Sequence, residues 1–338
     1  LDISCQKLLA KLPISIKINK QQLDPELRKY YGPMKFAAGL LGRAWTVRML
    51  NRLGNLTKGA KIKGLNCTEQ WIPGAAGGPD IRVRIFGPSN VSGKLPGMLY
   101  IHGGGYITGS PEFAADAIRR FIAAKPCVIV CPAYRRALDA PFPAAFDDCY
   151  ATLLWMKANA DSLGMIADKF IVAGHSAGGG LAAAVSLKAT DTQDVAIAFQ
   201  MPIYPMIDDR QNTASAVDNN APVWNAKTNH FGWQQYLKDL KTKNLPIPAY
   251  AAAARATDYS KLPPTITFVG DLEPFRDETL TYVQQLQQAH VPVEFQLFKG
   301  CFHAFETVAP KAKVSQSAWA FLLGAYAEYW ERYFWERS

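Results

Sequence analysis

A five-residue segment, Gly174-His175-Ser176-Ala177-Gly178, most narrows what this chain can fold into. Residues 170–173 before it form a short apolar run suited to one buried strand, and an alanine- and leucine-rich helical stretch follows. A chain that turns at once from strand into helix forces its corner residue into a strained backbone conformation. Glycines two before and two after the corner remove the Cβ atoms that would collide there. The corner serine then stands clear of the sheet, its Oγ exposed over a helix N-terminus. Ser176 is thus a candidate nucleophile. By chance alone, G-x-S-x-G arises in roughly one chain of this length in ten. It gains force only with an oxyanion loop upstream and an acid and a histidine downstream, in that order.

All three are present. An apolar run at 98–101 ends in His102-Gly103-Gly104-Gly105-Tyr106. Acyl transfer passes through a tetrahedral oxyanion, and backbone N–H groups reach it only where no side chain blocks the approach. Downstream, a strand at 265–270 is followed by Asp271, Glu273 and Asp277, and a last strand at 293–298 by a loop carrying His303. His102 belongs to the glycine loop, His175 adjoins the serine, His230 lies in an insertion and His290 ends a helix. Only His303 follows the last strand, downstream of a carboxylate. Asp271 and Glu273 share a side of an extended chain, so periodicity cannot separate them as the acid. Asp277 falls a helical turn further on, where a carboxylate supports a helix N-terminus.

The rest of the chain supplies the frame. Residues 1–60 read as a helical appendage broken at Gly32-Pro33, either part of a cap or extra helices packed on one sheet edge. Residues 61–206 and 255–338 alternate strands with helices, which predicts an α/β fold with a mostly parallel sheet covered on both faces. Within the first part, 81–86 alternates apolar residues with Arg82 and Arg84, as a half-exposed strand should. Residues 207–254 interrupt the alternation with an aromatic insertion (Trp224, Phe231, Trp233, Tyr236). Placed after a strand's C-terminal end, it is expected to cover the active-site crevice.

At 338 residues, 49% apolar and 19% charged, the chain has the balance of a soluble globular protein. No apolar run reaches the ~18 residues of a membrane span. The first residues show no apolar segment leading to a cleavage site, so a cytoplasmic location is expected. The net charge of +9 is read as general surface character rather than one patch, with no nucleic-acid module. Six scattered cysteines lack ligand spacing and read as free thiols. No metal or cofactor is expected.

Taken together, His102–Tyr106, the 133–148 run AYRRALDAPFPAAFDD, GHSAGG, PIYPMID, LPPT, EPFRDE and HAF resemble the hormone-sensitive-lipase-like group of α/β-hydrolases, the bacterial carboxylesterase branch. The resemblance spans about residues 80–306. It implies an α/β-hydrolase fold with a two-part helical cap formed by 1–60 and 207–254. It also implies a serine esterase acting on small esters through an acyl-enzyme. The group's acid stands directly before proline, which points to Glu273, and its oxyanion donors fall on Gly104, Gly105 and Ala177. Tyr106, His175, Tyr204, Trp224 and Phe305 are expected around the substrate. The cap implies a closed pocket, and with no amphipathic docking run recognised, short acyl groups and no stable membrane insertion are expected. His175 departs from the group's usual aspartate, and Glu273 from its more frequent aspartate. The competing expectation is a receptor-like binding protein on the same fold, as among plant gibberellin receptors, which lack the histidine that His303 supplies here. Oligomeric state is left open, a homodimer included.

Overall fold

The computed structural model describes residues 17–89 and 93–335. The first sixteen residues of the helical appendage and the end of the tail therefore lie outside the described residues. Eight strands form one sheet in the order β1-β2-β4-β3-β5-β6-β7-β8. They are β1 (Leu65–Ile72), β2 (Ile81–Pro88), β3 (Leu95–Ile101), β4 (Val128–Pro132), β5 (Met165–His175), β6 (Ile197–Ile203), β7 (Thr265–Gly270) and β8 (Val293–Phe298). Strands β3 to β8 pair in parallel, while β2 runs antiparallel to both β1 and β4. The inner parallel strands are largely apolar because helices cover both faces, the edge strand β8 exposes Glu294 and Gln296, and two clusters of buried residues lie on either side of the sheet.

Three local expectations need correction. Strand β2 is buried along 81–86 rather than half-exposed. Arg82 and Arg84 are 5% and 2% exposed because Glu112 accepts from both, at 2.5 and 2.8 Å, and Glu69 accepts from Arg82 at 2.7 Å. Alternation of charge therefore marked a buried ion cluster, not a solvent face. Second, Gly32 and Pro33 do not break a helix; they sit in the first turn of α1 (Tyr31–Leu40). Proline is tolerated there because its missing N–H would have had no intrahelical acceptor. Third, β5 is longer than its apolar signal: it begins at Met165 and passes through exposed Ala167 and Asp168 before the buried half.

After α1 comes α2 (Ala44–Gly54), then α3 (Ala115–Ala124) and α4 (Ala144–Ala158), with α5 (Ala177–Thr192) leaving the end of β5. The 207–254 insertion contributes α6 (Ala226–Tyr236) and α7 (Lys238–Thr242). The C-terminal part adds α8 (Arg276–Gln288), the short α9 (Phe305–Val308) and α10 (Lys313–Trp330). Helix α2 is fastened to the glycine loop: Asn51 donates to the Ile107 carbonyl at 2.9 Å and accepts from Thr108 at 2.7 Å. All five described cysteines are free. Among the described residues no helix is long and apolar enough to cross a membrane.

Candidate active site

The corner between β5 and α5 has the strain its sequence demands. Ser176 sits at φ 60° and ψ −123°, a region that L-residues rarely occupy. A Cβ at Gly174 would stand 2.3 Å from the Gly178 carbonyl oxygen, and one at Gly178 would stand 2.1 Å from that of Ile101. Only glycine lets the helix start this close to β3. The Ser176 N–H donates to Ile203, and the Ser176 carbonyl accepts from Gly180 and Met206, so the strained residue is tied on both sides.

Three loops at the C-terminal ends of β5, β7 and β8 bring Ser176, Glu273 and His303 together. Ser176 Oγ lies 2.8 Å from His303 Nε2, and His303 Nδ1 is hydrogen-bonded to Glu273 Oε2. The other Glu273 oxygen accepts the Gly270 N–H at 2.9 Å. Glu273 is fully buried, and Phe275 and Tyr204 pack edge-on against the His303 ring at 5.0 and 4.8 Å. The other carboxylates point elsewhere. Asp271 accepts the Cys301 N–H, and burial raises its pKa. Asp277 accepts from Ser215 and Arg276.

The glycine loop after β3 turns beneath the same crevice. Gly104 and Gly105 have φ of 128° and 59°, and a Cβ on either would stand 2.0 Å from a neighbour, Thr108 O or the Trp224 ring. Among the described residues, the N–H groups of Gly104, Gly105 and Ala177 have no protein acceptor. His102 is part of the scaffold. Its Nδ1 donates to the Gly103 carbonyl at 2.8 Å, its ring stacks on Tyr134 at 4.2 Å, and burial pushes its pKa down to about 4.

A family model described as alpha/beta hydrolase fold matches residues 98–307. The chain belongs to the alpha/beta-hydrolase family. Within it, the hydrolase falls in the hormone-sensitive-lipase-like carboxylesterase group. It is 29% identical over 289 residues to the esterase LipI of Mycobacterium tuberculosis, covering 85% of this chain and 88% of that one. Against an arylesterase of Saccharolobus solfataricus it is 31% identical over 236 residues, covering 67% and 73%. Among solved structures, a bacterial heroin esterase superimposes with a TM-score of 0.81 at 33% identity, covering 91% of this chain and 98% of that one.

A cavity of about 250 Å³ opens at Ser176 in this hydrolase. His175, Tyr204 and Trp224 line it. Tyr106 and Phe305 do not. Tyr106 turns into the core, donating to the Met206 carbonyl at 2.7 Å and stacking on Tyr236 at 4.0 Å. Phe305, in the first turn of α9, is fully buried against Phe268 and Phe298. Both adjoin a motif, but the turn after β3, where Tyr106 has φ 64°, and the first turn of α9 take the two side chains away from the crevice. Trp233 and Tyr236 likewise pack the insertion onto the core, leaving Trp224 as its aromatic in the cavity wall.

Sequence reasoning missed Tyr100 on β3 and Trp319 on α10, which line the cavity beside His175. Tyr100 OH is 2.5 Å from His175 Nδ1, and the Trp319 ring lies 6.2 Å from that of His175. Tyr100 stands two residues before the glycine loop and could have been read from that position. No local signal marks Trp319, more than 140 residues after the serine. Burial pushes the His175 pKa down to about 3, the nearby His303 adding to the effect, so His175 is neutral in the working range.

Proposed function

We propose that the protein is a serine carboxylesterase that hydrolyses short- to medium-chain acyl esters through an acyl-enzyme. The observation that carries this reading is the unbroken hydrogen-bond sequence Ser176 Oγ, His303 Nε2, His303 Nδ1, Glu273 Oε2 beside free backbone N–H groups. Glu273 accepts from Nδ1–H, which leaves the Nε2 lone pair facing the serine hydroxyl. As Oγ attacks the ester carbonyl, Nε2 takes its proton, and the carbonyl oxygen becomes an oxyanion held by Gly104, Gly105 and Ala177 N–H. Collapse of the tetrahedral intermediate breaks the ester C–O bond, and Nε2–H gives the proton to the departing alcohol. Water then repeats the sequence on the acyl-serine and releases the acid. The cavity's modest size, with Trp224 in its wall, supports a preference for acyl groups from about acetyl to hexanoyl.

A stopped-flow burst of nitrophenol from p-nitrophenyl butyrate, stoichiometric with enzyme and abolished by Ser176→Ala, is the expected result. A folded wild-type protein that binds the ester without turning it over would instead make it a receptor-like binder on the same fold.

A further inference from the structure

The charge of the chain is gathered in one place. Between residues 27 and 68 there are nine lysines and arginines and no aspartate or glutamate, so this segment carries the whole excess of +9 and the rest of the chain sums to zero. The expectation of an evenly spread charge was thus an effect of averaging over the chain. The segment comprises α1, α2 and the turns around them, the part of the cap that lies against the glycine loop.

The same segment carries six of the twelve large exposed apolar side chains among the described residues. On α2, Val47 and Asn51 face inward, and Trp45, Met49 and Leu53 recur every four residues on another face, 62%, 47% and 54% exposed. Phe36 on α1 and Leu56 after α2 are 75% and 82% exposed. Arg43, Arg48, Arg52 and Lys58 are exposed among them. The patch continues to the cavity. Phe113, 60% exposed, lies against Gly54 and lines the cavity mouth together with Leu41. An apolar stripe flanked by cations on an interfacial helix is what binds an anionic lipid surface: apolar area enters the headgroup region while lysines and arginines meet the anionic headgroups.

We propose that the α1–α2 face docks the protein reversibly on anionic lipid surfaces, holding the cavity mouth at the layer where lipophilic esters partition. No segment crosses the bilayer in this arrangement, and binding is set by surface charge plus the Trp45–Met49–Leu53–Leu56 stripe.

Vesicle co-sedimentation tests this with the full chain and reads no hydrolysis, so its outcome is separate from that of the proposed chemistry. Wild type is expected to sediment with vesicles of phosphatidylcholine mixed with phosphatidylglycerol, to bind phosphatidylcholine alone far more weakly, and to release as salt is raised. Arg48→Glu/Arg52→Glu and Trp45→Ser/Met49→Ser are each expected to weaken binding about 10-fold or more. None of these four residues lines the cavity, so turnover of a soluble short ester checks that the variants fold. Leu56→Ser, beyond the helix, reads the same face should a helix variant misfold. Absence of binding to the mixed vesicles overturns the proposal, as does binding indifferent to phosphatidylglycerol or to all three variants. If the stripe instead joins two copies of the chain, a dimer that Trp45→Ser/Met49→Ser dissociates, with no vesicle binding, overturns it too.

Discussion

Replacing Glu273 by glutamine changes one oxygen to NH2 and leaves shape and volume nearly unaltered. In the native protein one carboxylate oxygen accepts the Gly270 N–H at 2.9 Å and the other meets His303 Nδ1. A glutamine must assign its single oxygen to one of these. If the oxygen keeps Gly270, the NH2 faces Nδ1, which must give up its proton. The imidazole then carries N–H at Nε2, pointing at Ser176 Oγ 2.8 Å away, where it cannot accept the serine proton. If the amide flips, its NH2 opposes a buried backbone N–H, and leaving that donor unpaired costs about 1–3 kcal/mol. The wrong tautomer is therefore favoured, and the negative charge opposite the developing imidazolium is lost as well. A similar change in serine proteases costs about 10⁴ in kcat. A loss of that size corresponds to about 5.5 kcal/mol of barrier at about 1.4 kcal/mol per tenfold. Asp271→Asn keeps an oxygen for the Cys301 N–H and should lose less than about tenfold. The assay is kcat on p-nitrophenyl butyrate, with far-UV circular dichroism to show both variants folded. Glu273→Gln within about tenfold of wild type would refute the reasoning, and the reverse ranking would move the acid to Asp271.

Gly105→Ala is expected to lower kcat by about 10²–10³, because a Cβ there meets the Trp224 ring at 2.0 Å and displaces the loop that presents the oxyanion donors; unchanged kcat on the same ester would contradict it. Across p-nitrophenyl esters, kcat/KM should peak between acetyl and hexanoyl, and a maximum at dodecanoyl would contradict the closed pocket. Glu112→Gln leaves two buried guanidinium groups without their shared anion and should cost about 3–5 kcal/mol in urea unfolding, a loss under about 1 kcal/mol arguing against the cluster. The pH dependence of Glu112 has a definite sign. Burial opposes its ionisation, but hydrogen bonds from Arg82 and the Gly59 N–H outweigh burial and hold the carboxyl down at about 2, against 4.5 when free. Its contribution should be complete above about 4.5 and vanish as pH falls through about 2, so acid unfolding of Glu112→Gln should be flatter than wild type over that range.

Much of this architecture can be read from the chain because the site depends on backbone geometry that few residues permit. The elbow needs glycine at 174 and 178, and the oxyanion loop needs it at 104 and 105, where a Cβ has 2.0–2.3 Å of room. The alternation of strands and helices and the order serine, acid, histidine follow from the same punctuation, while the choice of Glu273 over Asp271 comes from the family resemblance. What stayed hidden was set by partners distant in sequence. Arg82 and Arg84 look solvent-facing until Glu112 and Glu69 are seen to neutralise them. Tyr106 and Phe305 look like pocket residues until the direction of their side chains is known, and Trp319 has no neighbouring motif at all.

The position of Trp319 has a consequence for the order in which the protein comes into being. The cavity wall draws on β3, β5, the 207–254 insertion and α10, and the histidine facing the serine lies only sixteen residues before Trp319. A chain emerging residue by residue from the ribosome thus displays its serine elbow 127 residues before His303 and 143 residues before Trp319. The nascent polypeptide can fold its first strands long before it can form the complete crevice, so Ser176 emerges well before Glu273 and His303, the parts that would activate it.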